Sequence, residues 1–253
     1  MKIMNKFATS IEYDGTSFYG SQKQNDFRTV QGTFERVLKK IHNRNIKTEF
    51  ASRTDAGVHA SSQVVSFFSE RSSSSEEWAS ALNFYLPNDI SVNYCCSVDD
   101  NFDVRRDAKE REYVYKIYSN SSISPLIDRY SEHYIGDIDV LKLASAAKLF
   151  EGKHDFLSFV GRSAPKDRSS VREIRKVSCE KNGNNTSIRF YGQSFLYQQV
   201  RRMVGALILV LKNKLSNQQL AEALSNPVRG AINNLPSSKG LCLSSIKYER
   251  MSF

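Results

Sequence analysis

The apolar residues of this chain change period in a fixed order, and that order occurs twice. Phe7, Thr9, Ile11 and Tyr13 alternate as a half-buried strand does. Val30, Phe34, Val37, Leu38 and Ile41 recur at helical spacing. Residues 46–52 and 63–69 read as strands around a short connection at Thr54 to Ala60. Ser74 and Glu77 have capping-box spacing, which predicts a helix carrying Trp78, Ala81, Leu82 and Tyr85 and stopping at Pro87. Residues 90–98 read as a strand, so the first half is βαββαβ.

The second half begins with alternation at Tyr113, Tyr115 and Ile117. Asp139 precedes a helix with Val140, Leu143, Ala147 and Phe150 on one stripe. Residues 171–180 and 186–191 read as strands joined at Gly183-Asn184-Asn185, a hairpin signal. A long helix over 195–211, a short one near 217–224 and a strand over 241–249 complete the order. Two such runs predict an α+β fold of two ferredoxin-like βαββαβ halves with mainly antiparallel sheets. The expected division is 1–104, carrying the Asp55 loop, and 105–253, carrying Tyr113 and Arg201. Residues 119–137, 151–170 and 225–239 are expected as long loops, a length usually tied to function or disorder.

A chain of 253 residues can bury a substantial core. Its 36 Lys and Arg against 27 Asp and Glu give a formal net charge of +9, which suits a polyanionic partner. The cations cluster at Arg36-Lys39-Lys40-Arg44, Arg105-Arg106-Lys109-Arg111, Arg162-Lys166-Arg168-Arg172-Arg175-Lys176 and Arg201-Arg202. Each cluster alone reads as a solvated face; four with Tyr and Phe nearby favour an RNA groove. Cys95, Cys96, Cys179 and Cys242 lack ligand spacing and the four histidines are scattered, so no metal site is expected. Free thiols, no signal-peptide pattern, and an apolar run at 203–211 too short to span a bilayer point to the cytoplasm, with no membrane partner.

The connection Ser52-Arg53-Thr54-Asp55-Ala56-Gly57-Val58-His59 puts a carboxylate on a loop between strands, where catalytic groups tend to sit. An Asp two residues before a glycine also makes an ordinary Asx turn. Tyr113 alone reads as a core tyrosine, and Arg201 with Gln198 and Gln199 as the polar stripe of its helix.

The ordered motifs separate these alternatives. Arg53-Thr54-Asp55-Ala56-Gly57-Val58-His59-Ala60 resembles the active-site motif of the TruA family of tRNA pseudouridine synthases. Tyr13-Asp14-Gly15-Thr16, Tyr19-Gly20-Ser21-Gln22, Gln63-Val64-Val65, Leu86-Pro87, Arg111-Glu112-Tyr113 and Val200-Arg201 follow in the family's order. The resemblance implies the pseudouridine synthase fold with a catalytic cleft between its halves, and a cofactor-free and metal-free isomerisation of uridine. It implies Asp55 as nucleophile, Tyr113 as the active-site tyrosine and Arg201 as the active-site basic residue. Arg53, Thr54, His59, Arg105, Arg106, Arg111, Phe195 and Leu196 are the expected substrate contacts. It also implies a homodimer acting on tRNA, on the 3′ side of the anticodon stem-loop. Other RNA targets, a non-catalytic RNA-binding protein and a carboxylate-based glycosidic hydrolase are the rival readings. The last wants a second catalytic acid that the matched motifs lack. Ser21, Ser52, Ser66 and Asp103 depart from the family pattern, and Ser21 and Asp103 bear on how RNA is positioned.

Overall fold

The computed structural model describes residues 4–71, 73–161 and 169–249. The chain forms two compact units, Met1–Arg111 with Cys242–Phe253, and Glu112–Leu241. Arg162, Lys166 and Arg168 of the third basic cluster lie outside the described residues.

The first unit is built from β1 (Asn5–Tyr13), α1 (Val30–His42), β2 (Thr48–Phe50), β3 (His59–Ser69), α2 (Ser75–Tyr85) and β4 (Ile90–Val98). β1 is central and antiparallel to both β3 and β4, and β2 is antiparallel to the far part of β3. The spatial order β4-β1-β3-β2 is that of a ferredoxin-like unit. Thr29 caps α1 by accepting from Gly32 N–H, and Asn43 ends it in the left-handed region at φ 56°. The capping box of α2 forms as its sequence predicts: Ser74 Oγ accepts from Glu77 N–H, and Glu77 Oε2 accepts from Ser74 N–H. Phe7, Phe34, Phe67 and Trp78 make the centre of this core, with Phe67 and Trp78 edge to face at 5.2 Å. Such pairs add about 0.5–1.5 kcal/mol beyond the area they bury.

The second unit contains most of β5 (Glu110–Ser119), then β6 (Glu132–Tyr134), α3 (Val140–Lys148), β7 (Gly152–Asp155), β8 (Val171–Asn182), β9 (Asn185–Gly192), α4 (Gln199–Leu211) and α5 (Asn217–Ser225). Its strands run in the order β5-β9-β8-β7, with β6 on β5. The β8–β9 hairpin turns at Gly183, whose φ of 56° lies in the left-handed region that glycine enters at the least cost. β6 and β7 fall inside the expected loops 119–137 and 151–170; they are too short for an alternating pattern to show. α4 begins at Gln199 rather than at 195, because Gln198 is left-handed at φ 58° and breaks the helical path. Phe195 and Leu196 therefore lie on the approach to the helix, not on it.

β10 (Leu241–Lys247) closes the chain, and from Cys242 it belongs to the first unit. Cys242 and Leu243 pair in parallel with His59 and Ala60, at the start of β3. Element order alone assigns this strand to 105–253, whereas its pairing puts it beside the Asp55 loop. The four cysteines are free; burial pushes the Cys95 and Cys179 thiols up to about 12. Among the described residues no helix is long and apolar enough to cross a membrane.

Candidate active site

The Asp55 loop is held through its backbone. Thr54 N–H donates to Ser21 Oγ at 2.8 Å, and Ser21 N–H donates to Thr54 O at 3.0 Å. Gly57 N–H donates to Phe18 O at 3.1 Å, and Val58 N–H closes the turn on Asp55 O at 3.1 Å. The Thr54 hydroxyl meets the Tyr13 hydroxyl at 2.8 Å. One residue upstream, the fully buried Gln63 amide clamps Ser52, accepting from its N–H at 3.1 Å and donating to its carbonyl at 2.8 Å.

Two glycines let the neighbouring segment come this close. A Cβ on Gly15 would lie 2.0 Å from Val58 O, and one on Gly20, where φ is 89°, would lie 2.7 Å from Thr54 O. Asp55 is half-buried on the loop so formed, Thr54 is buried and Arg53 is exposed. A carboxylate fixed this way loses little further freedom on reaching a transition state.

His59 is buried where β3 begins. Its Nδ1 lies 3.0 Å from Gly15 N–H and 3.2 Å from Asp14 Oδ1. The first contact needs a lone pair on Nδ1 and the second a proton, so they do not operate together. The amide can only donate, and the neutral Nε2–H tautomer satisfies it. His59 is thus a brace between the Asp14–Ser17 turn and the Asp55 loop. Arg111 is likewise buried, with Nη2 donating to Ala51 O at 2.7 Å and Arg105 O at 3.0 Å. Both residues hold the backbone beside Asp55.

Arg105 and Arg106 are exposed on a turn organised by Asp103, whose Oδ1 accepts both of their N–H groups at 2.9 Å. Partial burial acts to raise the Asp103 pKa, but those two bonds and the Arg106 and Lys6 charges hold it below the ordinary aspartate value. The departure at Asp103 therefore builds the turn that presents two cations. In the first basic cluster, Arg44 pairs with Glu70 at 2.8 Å, and Lys39 and Lys40 sit in the last turn of α1, where the helix dipole favours cations. That cluster has a structural explanation.

In the second unit, Tyr113 is buried on β5 with its ring edge-on to Phe195, centroids 5.2 Å apart. Phe195 and Leu196 are half-buried, and Leu196 N–H donates to the fully buried Gln199 Oε1 at 2.8 Å. Gln198 and Gln199 are therefore the hinge and brace of the helix start, not a polar stripe. Tyr115 differs from Tyr113: its hydroxyl donates to Ser237 O at 2.8 Å, and burial drives its pKa far up. Arg201 lies in the first turn of α4 and grips Pro236 O through Nε at 3.1 Å and Nη2 at 2.8 Å. Arg202 is buried beside it, donating to Ile232 O at 3.0 Å, with its pKa lowered first by burial and then by the Arg201 charge. Two cations at the positive end of a helix cost stability, typically about 0.3–1 kcal/mol each. Helix stability therefore does not account for their position. The arrangement concentrates positive charge where an anion would bind.

A family model described as tRNA pseudouridine synthase matches residues 10–107 and 146–249. A relative named tRNA pseudouridine synthase A 2, from Bacillus cereus, is 35% identical over 246 residues, covering 97% of this chain and 100% of that protein. A tRNA pseudouridine synthase A from Pseudothermotoga lettingae is 42% identical over 208 residues, covering 82% and 84%. This chain belongs to the TruA family of tRNA pseudouridine synthases. It is accordingly an isomerase, and its α+β fold is that of the family. The solved structure of a Cbf5-Nop10-Gar1 complex aligns at a TM-score of 0.36 with 16% identity, over 80% of this chain and 54% of that one. Ser21 and Gln63 brace the Asp55 loop and its upstream residue Ser52, and Gln199 braces the start of α4; sequence patterns alone do not assign these roles. Gln63 was visible inside a matched motif. Ser21 stood out only as a departure, and nothing local signalled Gln199.

Proposed function

We propose that this TruA family member converts uridine to pseudouridine on the 3′ side of the tRNA anticodon stem-loop, with Asp55 as the reactive carboxylate. The observation that supports it most is the Asp55 loop, fixed by Ser21 on both sides of Thr54 and by Phe18 at Gly57. In this reading the C1′–N1 bond of uridine breaks with Asp55 acting at the sugar or base. The released uracil turns, and C5 bonds to C1′. The C5 proton leaves and N1 ends protonated, so the atoms balance without a cofactor or a metal. Tyr113, lying edge-on to Phe195, supplies a ring against the flipped base and a hydroxyl for the C5 proton. Arg201 supplies a fixed cation that favours an ionised partner. Arg53, Arg105 and Arg106, all exposed, take phosphates. The working form proposed is a cytoplasmic homodimer.

The test is a map of pseudouridines in tRNA from cells with and without the gene, beside tritium release from C5-labelled transcripts. Asp55→Ala is expected to fold, bind tRNA and lose turnover by at least about a thousandfold. Near-wild-type release by that variant would remove Asp55 from the chemistry.

A further inference from the structure

Tyr19 and Phe27 are 56% and 47% exposed, yet their rings lie against each other, centroids 4.4 Å apart and tilted by 32°. Two large aromatic rings left in water on a loop serve no core. The loop that carries them is closed at its base, where Tyr19 N–H donates to Arg28 O at 2.9 Å, and Gln24 Nε2 donates to Tyr19 O at 2.9 Å. Arg28 stiffens the base further, forking onto Asp89 at 2.6 and 2.8 Å and lying 4.0 Å over the Phe18 ring. The flanking residues of Tyr19 are the ones that touch the catalytic loop. Phe18 O accepts from Gly57 N–H, and the Cβ position of Gly20 is 3.4 Å from both Ala56 N and Asp55 C. The ring pair is thus rigidly tied to the Asp55 backbone.

We infer that Tyr19 and Phe27 form a stacking platform for an unpaired base of the RNA substrate, next to the reactive uridine. Drawing a uridine out of a stem-loop strips its neighbour of a stacking partner. An exposed aromatic face offers a replacement, and it tolerates any base because every base has a π-face. The net charge of +9 favours this occupant over an apolar protein surface. The inference rests on the function proposed above and adds a residue pair that recognises substrate without joining the chemistry.

The experiment compares wild type with Tyr19→Leu/Phe27→Leu and with Tyr19→Phe/Phe27→Tyr. It reads the Kd for transcribed tRNA across a salt series, and kcat and KM by C5 tritium release. Each lost stack is expected to weaken Kd roughly five- to 150-fold. The leucine variant raises KM with kcat nearly unchanged, and its log K against log salt line shifts in parallel, because no phosphate contact is removed. The ring-conserving variant restores wild-type affinity. Thermal melting reports folding, and each single leucine variant carries the same test if the double one melts early. Unchanged affinity in the leucine variants overturns the platform, as does a change of oligomeric state in place of a change in Kd. Wild type that binds tRNA but releases no tritium sinks the proposed reaction, while the Kd arm still decides the platform.

Discussion

Asp55 and Arg201 are held in different ways. The backbone around Asp55 is bonded to the 18–21 segment through Thr54, Gly57 and Ser21, residues close to one another in two short stretches of sequence. Arg201 rides on a regular helix and is oriented by its own side-chain nitrogens, both on the carbonyl of Pro236, 35 residues away. The first arrangement fixes where a group is by fixing the chain. The second fixes only how a long side chain points. A backbone-fixed group is intolerant of any added atom beneath it. A side-chain-fixed group tolerates changes around it and fails only when its own nitrogens are removed.

Gly15→Ala tests the harsher side of that contrast. A Cβ 2.0 Å from Val58 O forces one backbone segment to move, and that segment carries Asp55. A shift of about 1 Å is expected to lower kcat about a hundredfold while tRNA affinity holds. Ser21→Ala acts more mildly, leaving the Thr54 N–H without its acceptor at a cost of about 1–3 kcal/mol. Wild-type kcat in Gly15→Ala would mean that the Asp55 loop is not rigid.

The same contrast explains what the sequence reveals. The order βαββαβ, the α2 capping box and the Asp55 turn rest on neighbours within a few residues, and periodicity and turn chemistry report them. The start of α4 differs from the expected 195 because Phe195, Leu196 and Tyr197 continue the apolar pattern, while nothing in the sequence marks Gln198 as left-handed. The place of β10 depends on pairing with His59, far away in sequence, and so does the Gln63 clamp on its tertiary partner. Tyr113 and Tyr115 look alike in an alternating strand. Only the Ser237 carbonyl, which engages Tyr115, separates them.

Tyr113, in the unit that carries Arg201, gives the next prediction. Tyr113→Phe keeps the ring beside Phe195 and loses the hydroxyl, so it is expected to bind tRNA almost as wild type does but to stall before the C5 proton leaves. Tyr113→Leu also loses the ring, and its affinity is expected to fall by about 1–3 kcal/mol. A gel-shift affinity beside a tritium-release rate checks both. Wild-type release by Tyr113→Phe would return this residue to packing alone.

Smaller still is the effect of the cations on the Asp103 turn. Asp103 accepts from the backbone amides of Arg105 and Arg106, so reversing both side chains to Glu leaves the turn's own bonds in place. If each arginine neutralises one phosphate, removing two contacts flattens the slope of log K against log salt by about 1.4–1.8. A slope identical to wild type would make these arginines a solvated face.

The smallest effect separates the two units by pH. His42 packs on Trp78 at 5.5 Å, and its Nε2 has no hydrogen-bond partner among the described residues. Burial first, then the Arg71 and Arg44 charges, lower its pKa below 6.5, against a smaller opposing pull from Glu70. A histidine with a depressed folded pKa binds its proton more readily in the unfolded chain. Its neutral form is fully compatible with the fold above the unfolded pKa. Stability is then lost as pH falls from about 6.5 toward the lower folded value. This half-buried histidine packs against the core of the unit that carries Asp55. Lowering the pH from about 7.5 to about 5.5 is therefore expected to speed amide exchange in α1, α2 and β3, corrected for intrinsic rates, more than in α3, α4 and β8. His42→Gln should remove most of that difference. Equal acceleration in both units, or an unchanged difference in His42→Gln, would show that the protonation of His42 does not govern the first unit's core.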